Sequence, residues 1–309
     1  GHASQIAATA VQDNVDIVVA IGGDGTITEI ARSLVHTDTA LGIIPCGSGN
    51  GLARHLRIPR DAKSAIDILN QGNSLCIDYG KINNILFFCT CGVGFDAFVS
   101  LKFADSGKRG LLTYLENTLH ESLTYQPETY EIENEEGTVR HKAFLIACGN
   151  ASQYGNNAYI TPHASLTDGL MDITIMEPFT VLDVPSLSFQ LFNKTLDQNS
   201  RIKTMRAKKI KIHRQHDGVM HFDGDPLMAG KELEVEIIPA GLHVIASPKK
   251  RTKEESENLL QVISNYFSGL HLKGEEMLAK RQSHLFELNR TLLGKLSKNK
   301  ITSSNKNHG

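Results

Sequence analysis

The segment Gly22–Thr26, which reads GGDGT, joins a run of apolar residues to a helical pattern. Glycines let a phosphate approach the backbone closely, and the N-terminus of a helix favours anions. The carboxylate of Asp24 would repel a phosphate unless a cation such as Mg²⁺ lay between them. Thr26, followed three residues later by Glu29, predicts a capping box. The segment therefore predicts a site for the phosphates of a Mg-bound nucleotide.

A second glycine-rich segment repeats the plan of strand, loop and helix, and reads LGIIPCGSGNGLARHL. Ser48 and Asn50 add polar groups to its loop, and Asn50 is expected to cap the helix that follows. Loops that follow neighbouring parallel strands meet at one edge of the sheet, where such folds bind ligands. Either loop alone also suits a tight structural turn, whereas the two together with Asp24 favour a ligand site.

The elements that must position these loops alternate between strand and helix over the first part of the chain. Asp61 and Gly72 are placed to cap and to end the last of these helices. The order predicts parallel strands joined by helical crossovers. The predicted strands are Val15–Ile21 and Leu41–Ile44, and the predicted helices are Thr26–Val35, Gly51–Leu56 and Ala62–Leu69.

The pattern changes after about residue 75, where runs with a period of two residues alternate with turn residues. Such runs are typical of antiparallel strands. Two helices, Asp96–Phe103 and Gly110–Ser122, interrupt them. We predict an α/β nucleotide-binding domain over 1–76, a β-rich substrate domain over 77–240, and a returning strand with a helical, basic tail over 241–309.

Composition excludes several classes of protein. The chain has 309 residues, 40% of them apolar, and a net charge of −2. It lacks the run of about 20 apolar residues that a membrane span requires. Its five cysteines read as buried free thiols in a reducing compartment. His213, His216 and His221 are considered as a metal cluster and disfavoured, since no helix aligns them.

The tail from Pro248 onward carries twelve Lys or Arg residues against six Glu. A basic tail can approach an anionic membrane, although a solvated helical tail is the simpler interpretation. No aromatic residues are interleaved with these charges, so no nucleic-acid partner is predicted. Phenylalanines 87, 88, 95, 98 and 103 read as core more readily than as the lining of an acyl cleft.

The two glycine loops together closely resemble the diacylglycerol kinase catalytic-domain family, which includes bacterial lipid kinases, sphingosine kinases and ceramide kinase. Further segments resemble the family in the same order, from Gly1 to about Ser247. They are GVGFDA at Gly92–Ala97, GN at Gly149–Asn150, SLTDGLMD at Ser165–Asp172 and FDGDP at Phe222–Pro226. GGDG alone is less specific, because NAD kinases and phosphofructokinases also carry it.

The resemblance implies the two-domain NAD kinase/diacylglycerol kinase-like fold, a parallel α/β domain followed by an antiparallel β-sandwich, with ATP in the cleft between them. It implies transfer of the γ-phosphoryl group to a hydroxyl of diacylglycerol or a sphingoid-type lipid, with Mg²⁺. The nucleotide-binding residues that it implies are Gly22, Gly23, Asp24, Gly25, Thr26, Ile27, Thr28, Ser48 and Asn50.

The resemblance also implies roles for carboxylates. Asp24 would be the Mg-linked catalytic carboxylate, and Asp223 and Asp225 are both candidates for the base. Family members usually have Glu, assigned as proton acceptor, where this chain has Asp225, so the base stays undecided. The resemblance implies a place near the lipid head group for Asp78. An ordinary turn remains the alternative for Asp223 and Asp225, and a residue at the end of a hairpin is the alternative for Asp78.

A structural metal site is the last feature that the resemblance implies. Asp168 would hold the cation together with the main-chain oxygens of Ser165 and Leu170. An aspartate followed by glycine also suits an ordinary turn, so that alternative stays open.

Two departures qualify the resemblance. Asn50-Gly51 is closer to the sphingosine-kinase form of the loop than to the Asn-Asp of many bacterial diacylglycerol kinases. The chain is also expected to lack an N-terminal strand and phosphate loop, as a fragment or an inactive member would. An NAD kinase-like phosphotransferase and an inactive lipid-binding module are the alternatives.

We expect a cytoplasmic protein with peripheral contact at the inner face of the membrane, and leave homodimer formation open.

Overall fold

The computed structural model describes residues 1–106, 125–180 and 182–247, all of which belong to one compact unit, Gly1–Lys250. Its helices are α1 (His2–Gln12), α2 (Asp24–Leu34), α3 (Gly51–His55), α4 (Ala62–Gln71), α5 (Phe95–Ser106) and α6 (Val184–Phe192), with a 3₁₀ turn at Leu196–Gln198. No helix among these residues is long and apolar enough to cross a bilayer.

The strands form two sheets of eight and six strands. They are β1 (Ile17–Gly22), β2 (Ala40–Pro45), β3 (Ser74–Ile82), β4 (Ile85–Phe87), β5 (Thr90–Gly94), β6 (Glu128–Asn134), β7 (Gly137–Ala143), β8 (Leu145–Gly149), β9 (Met171–Met176), β10 (Ile202–Ala207), β11 (Lys209–Arg214), β12 (Gly218–Phe222), β13 (Asp225–Ala229) and β14 (Glu232–Ile245).

The first part of the chain is the predicted α/β layer. β1 and β2 pair in parallel from Ile17↔Ala40 to Gly22↔Pro45, so both glycine loops leave the same edge of the sheet. All six residues of β2 are buried, which is typical of a parallel strand covered on both faces. α2 buries Ile27, Ile30, Ala31 and Leu34 against this sheet, as its spacing predicts.

The long strand β14 joins the two halves of the molecule. Its last residues pair with β2 in parallel at Val244↔Leu41, while its first half pairs with β11 in antiparallel register. A register shift between Ile238 and Leu242 bends the strand where it passes from one half to the other. The predicted domain boundaries at 76/77 and 240/241 fall inside β3 and β14, because these strands run through both halves.

The second half is the predicted β-sandwich. The six-stranded sheet follows the order β10-β9-β8-β5-β12-β13, with every neighbouring pair antiparallel. Its inner face packs on the antiparallel part of the larger sheet around a buried apolar cluster. Phe87, Phe88 and Phe95 are buried in the core, as expected for phenylalanine at this spacing. The parallel α/β layer and the antiparallel sandwich together confirm the predicted fold class.

The predicted helix Ala62–Leu69 is confirmed and extends to Gln71. The Asp61 carboxylate accepts the Ser64 N–H, and Gly72 ends the helix in the left-handed region. α5 runs from Phe95 to Ser106, slightly longer than predicted. The predicted helix Gly110–Ser122 and the basic tail lie outside the described residues.

Candidate functional site

The two glycine loops pack backbone to backbone. The N–H of Cys46 donates to the carbonyl of Gly22 at 2.7 Å, which continues the pairing of β1 with β2 into the loops. A Cβ atom on Gly47 would lie 2.5 Å from Cα of Gly23, closer than real Cβ atoms approach any backbone atom. Glycine at position 47 is therefore required for the two loops to meet.

α2 presents an uncapped N-terminus at this edge. Its N-cap residue is Gly23, and no side chain caps the helix. The predicted capping box is wrong, because the helix begins at Asp24 and Thr26 already lies inside it. The Thr26 side chain packs against Gly22, and Glu29 instead accepts the N–H of Ser4 in α1 at 3.1 Å. Among the residues that the structure describes, the first backbone N–H groups of α2 have no side-chain partner.

The carboxylate of Asp24 ties the first loop to the second. Its Oδ2 accepts the N–H of Asn50 and its Oδ1 accepts the N–H of Gly51, both at 2.7 Å. Each oxygen keeps one lone pair for another donor or a cation. Gly25 is exposed, with no atom within 4 Å of the position of a Cβ, and Ser48 is also exposed.

Asn50 does not cap α3 with its side chain, contrary to the prediction. It occupies the N-cap position in the left-handed conformation, with φ of 53°. Its amide folds back on Gly47, donating to the carbonyl at 2.6 Å and accepting the N–H at 3.0 Å. Asn50 is fully buried and fixes the shape of the second loop rather than facing a ligand.

Asp223 is held by the backbone of the segment that leads into β5. Its Oδ1 accepts the N–H groups of Cys89 at 2.7 Å and Thr90 at 3.2 Å, and its Oδ2 accepts that of Phe88 at 2.8 Å. Burial raises the pKa of the Asp223 carboxyl to about 6, although these N–H groups and the nearby Arg32 lower it. A carboxyl with that pKa is suited to general base catalysis near neutral pH.

The second candidate base has a different setting. Asp223 and Gly224 form the two-residue turn between β12 and β13, with φ of 50° and 91°, as expected for an Asp-Gly hairpin. Asp225 follows on the edge strand β13, where it is exposed and makes no side-chain hydrogen bond to the described residues. The structure thus joins Asp223 by a hydrogen bond to α2, the helix that follows the first glycine loop, and shows no such bond for Asp225 among the described residues.

That contact is made through α2. The hydroxyl of Thr28 donates to Oδ2 of Asp223 at 3.4 Å. Arg32, one turn further along α2, places its guanidinium over the ring of Phe222 at 5.3 Å from the ring centroid. Arg32 was not among the predicted site residues, although its spacing of four from Thr28 places both on one face of the helix.

Asp78 is 3% exposed, and both of its carboxylate oxygens accept backbone N–H groups. Gly169 donates to Oδ2 at 2.7 Å and Ala240 donates to Oδ1 at 2.8 Å, so Asp78 joins the turn after Leu166 to the bend in β14. It lines a cavity of about 370 Å³ together with Cys76, Thr167, Asp168, Gly169, Lys208, Ile237, Pro239 and Ala240.

Asn150, from the GN segment, connects this carboxylate to the site. Its amide nitrogen donates to the carbonyls of Asp78 at 2.8 Å and Phe88 at 2.9 Å. The Phe88 N–H in turn donates to Asp223. The predicted substrate residue Asp78 is therefore connected to Asp223 only indirectly in these contacts, through Asn150 and Phe88.

At the predicted metal site, the Asp168 carboxylate pairs with an arginine. Arg206 donates through Nη2 to the Asp168 carboxylate, and through Nε to Asp172 at 3.1 Å. Oδ1 of Asp168 accepts the N–H of Leu170 at 3.2 Å. The Ser165 hydroxyl accepts a backbone N–H within the same turn. The Asp168 carboxylate is thus occupied by Arg206 and the Leu170 N–H. A cation held there with the main-chain oxygens of Ser165 and Leu170 stays a prediction, beside the ordinary turn.

The three histidines considered for a metal do not converge. His221 is buried and contacts Asp96, while His213 lies between Glu133 and Glu232 at 3.7 Å from each. Among the described residues, no group of three or more His, Cys, Asp or Glu side chains could hold a metal ion.

Comparisons with protein-family models place two matches end to end on the chain. Residues 1–82 match the diacylglycerol kinase catalytic domain, and residues 89–246 match the YegS C-terminal NAD kinase beta sandwich-like domain. The gap between the two matches, residues 83–88, contains β4, the last strand before the chain passes from the larger sheet to the smaller one.

Curated relatives match most of the chain at moderate identity. A Klebsiella pneumoniae protein named probable lipid kinase YegS-like is 31% identical over 253 residues, covering 80% of this chain and 84% of the relative. An Escherichia fergusonii protein named probable lipid kinase YegS is 31% identical over 255 residues, with the same coverage.

A solved diacylglycerol kinase from Bacillus anthracis shares the fold, with a TM-score of 0.63 and 20% identity, covering 80% of this chain and 81% of that structure.

Proposed function

Because the chain belongs to the lipid kinase family that joins a diacylglycerol kinase catalytic domain to a YegS-type β-sandwich, we propose that it transfers the γ-phosphoryl group of ATP to a lipid hydroxyl. The acceptor class is diacylglycerol or a long-chain sphingoid lipid. Asp223 is the base that accepts the proton of that hydroxyl. Asp24 and Asn50 shape the loops that bind the nucleotide.

The observation that carries this proposal is the setting of Asp223. Four hydrogen bonds fill its carboxylate, and the bond from Thr28 is the longest at 3.4 Å. A substrate hydroxyl can replace that donor at Oδ2 while the three backbone N–H groups keep the carboxylate in place. Its pKa of about 6 leaves the group mostly ionised at neutral pH and still able to take a proton.

The loops fit the phosphates of ATP. The uncapped N-terminus of α2 supplies N–H groups, and the exposed Gly25 leaves open space beside them. Mg²⁺ in kinases is held by nucleotide phosphates and one or two carboxylates rather than by a protein cage. The free lone pairs of Asp24 are suited to that role. When bound, the ion would neutralise the charge that develops on the phosphates.

Phosphorylation of a lipid requires contact with a membrane surface. We expect this contact to be peripheral, since no helix among the described residues spans a bilayer. Attachment at the inner face of the membrane and association of two copies stay predictions.

The test is Mg-dependent transfer of labelled phosphate from ATP to a panel of acceptors. The panel contains diacylglycerol, sphingosine, ceramide and NAD, with each lipid in mixed micelles. We expect label on a lipid and none on NAD. Asp223→Asn should lower kcat by a factor of about 10² to 10⁴, the usual contribution of a general base.

Asp225→Asn is the matched control, because it makes the same change two residues away on the same hairpin. It should retain most of the activity. Label appearing only on NAD would overturn the choice of acceptor. A larger loss from Asp225→Asn than from Asp223→Asn would move the base to Asp225.

A further inference from the structure

A polar cluster of Asp96, Tyr154 and His221 lies next to the second glycine loop and has no part in the roles assigned above. Asp96, in the first turn of α5, is 7% exposed, and His221 on β12 is 2% exposed. Oδ2 of Asp96 accepts the Tyr154 hydroxyl at 2.8 Å and faces Nε2 of His221 at 3.0 Å. Oδ1 accepts the N–H of Ala97 at 2.8 Å. Three donors thus converge on one carboxylate, with His221 donating through Nε2.

The strand β5 leaves room for this cluster. Gly92 pairs directly with His221 in the sheet. A Cβ atom on Gly92 would lie 3.0 Å from both Oδ2 of Asp96 and Nε2 of His221, and 2.5 Å from the carbonyl oxygen of Ile146. Only glycine at this position lets the carboxylate and the imidazole meet.

One arm of the cluster reaches the proposed base. His221 lies two residues before Asp223, at the end of β12. The N–H of Asp223 donates to the carbonyl of Thr90 at 2.8 Å, and Thr90 in turn donates its N–H to the Asp223 carboxylate. His221 therefore lies on the strand that leads directly into the turn carrying the Asp223 carboxylate.

The other arm reaches the second glycine loop. The main chain at Tyr154 packs on that loop so closely that a Cβ on Gly51 would lie 3.3 Å from the Tyr154 carbonyl oxygen. The N–H of Asn156 donates to the carbonyl of Gly49 at 3.1 Å. Gly51 is also the residue whose N–H binds Asp24. Tyr154 thus packs on the same loop whose N–H groups bind Asp24.

We propose that Asp96 is a positioning residue that fixes the distance between the nucleotide loops and the base, through Tyr154 on one side and His221 on the other. This inference rests on the proposed function. The inference goes beyond that function by assigning one residue, Asp96, to the positioning of both the loops and the base. Asp96 lies 125 residues from His221 and 58 residues from Tyr154 along the chain.

The test separates the two arms by steady-state kinetics of lipid phosphorylation. Tyr154→Phe removes one hydroxyl on the loop side and should raise the KM for ATP about tenfold, with kcat nearly unchanged. His221→Met removes the donor on the base side and should lower kcat about tenfold, with the KM for ATP nearly unchanged. His221→Gln has almost the same shape as His221→Met and restores a donor, so it should recover most of kcat.

Amide hydrogen exchange on the free protein gives a readout that does not depend on activity. Asp96→Asn should speed exchange at Asn50 and Gly51 and also at Cys89 and Thr90. Asp172→Asn, which also removes a carboxylate from the β-sandwich, should leave those amides protected.

The proposal would be overturned if kcat and KM changed in parallel in every variant, or if His221→Gln and His221→Met had equal kcat. Either result would mean that the cluster only stabilises the fold. Unchanged exchange in Asp96→Asn would overturn it as well. If the wild type phosphorylates no lipid but both sets of amides exchange faster in Asp96→Asn, the positioning role of Asp96 is supported and only the proposed function fails.

Discussion

The hydroxyl of Thr28 lies 3.4 Å from the carboxylate of Asp223, although 195 residues separate them in the chain. Thr28 belongs to the first helix after the glycine loop, and Asp223 to a hairpin of the β-sandwich. This contact brings the element that suits nucleotide phosphates to the carboxyl that suits proton transfer. The site is therefore built by the approach of the two halves, and neither half contains it alone.

The pKa of Asp223 predicts the pH dependence of the reaction. A base must be ionised, so kcat should fall about tenfold per pH unit below a pKa of about 6 and be level above it. Arg32 lowers this pKa, so Arg32→Gln should shift the fall in kcat to higher pH. The measurement is kcat between pH 5 and 9 at saturating ATP and lipid. Arg60→Gln, which removes an exposed arginine, is the control, and an unshifted profile for Arg32→Gln would contradict the assignment.

His55 predicts a loss of stability in acid. Burial, with Lys194 and Arg57 nearby, lowers the pKa of this imidazole to about 4. The N–H of Ser152 donates to its Nδ1 at 3.0 Å, which requires a neutral ring. The unfolded chain takes up a proton near pH 6.5, so the contribution of His55 is full above that pH and declines as pH falls towards 4, by at most about 3 kcal/mol.

Urea unfolding of the wild type and of His55→Asn between pH 7.5 and 4.5 checks this. Asparagine keeps an acceptor for the Ser152 N–H but does not titrate. The free energy of unfolding should therefore depend less on pH in His55→Asn, and parallel curves would show that His55 is not the group responsible.

Arg206 predicts a turn that does not need a divalent cation. Since its guanidinium pairs with both Asp168 and Asp172, EDTA should leave the melting temperature unchanged. Arg206→Met should lower stability by about 1 kcal/mol, as expected for a partly exposed ion pair. A melting temperature that rises with Mg²⁺ in the wild type, and not in Asp168→Asn, would support the predicted metal site instead.

Local sequence signals were reliable where the contacts they describe are local. Asp61 caps the start of its helix and Gly72 ends it, as predicted, because a cap and a left-handed terminus depend on neighbours within four residues. Thr26 and Asn50 carry the same kind of signal, yet neither caps a helix. Thr26 packs on Gly22, and Asn50 closes its own loop, since the second loop must fit against the first.

The remainder of the site depends on long-range contacts that spacing does not encode. Asp24 and Asp223 were both predicted as site residues, but nothing in the sequence indicated that backbone N–H groups from other segments hold each carboxylate. Asp96 lies in the GVGFDA segment, whose match to the family did not reveal its partners. Its contact with His221 forms only when β5 and β12 pair.

Gly25 and Gly47 predict a separation between binding and folding. A Cβ on Gly25 has no atom within 4 Å, whereas one on Gly47 would strike Cα of Gly23 at 2.5 Å. Gly25→Ala should therefore leave the melting temperature unchanged and weaken ATP binding, because the methyl group enters the space proposed for phosphate.

Gly47→Ala should lower both the melting temperature and the affinity for ATP, since the two loops must move apart. Gly230→Ala, where a Cβ also meets nothing, is the control for adding a methyl group at an open glycine. Thermal melting and calorimetric titration with Mg-ATP give the two quantities. Unimpaired ATP binding by Gly25→Ala would contradict the placement of the phosphates at the N-terminus of α2, because the added methyl group would occupy the space proposed for them.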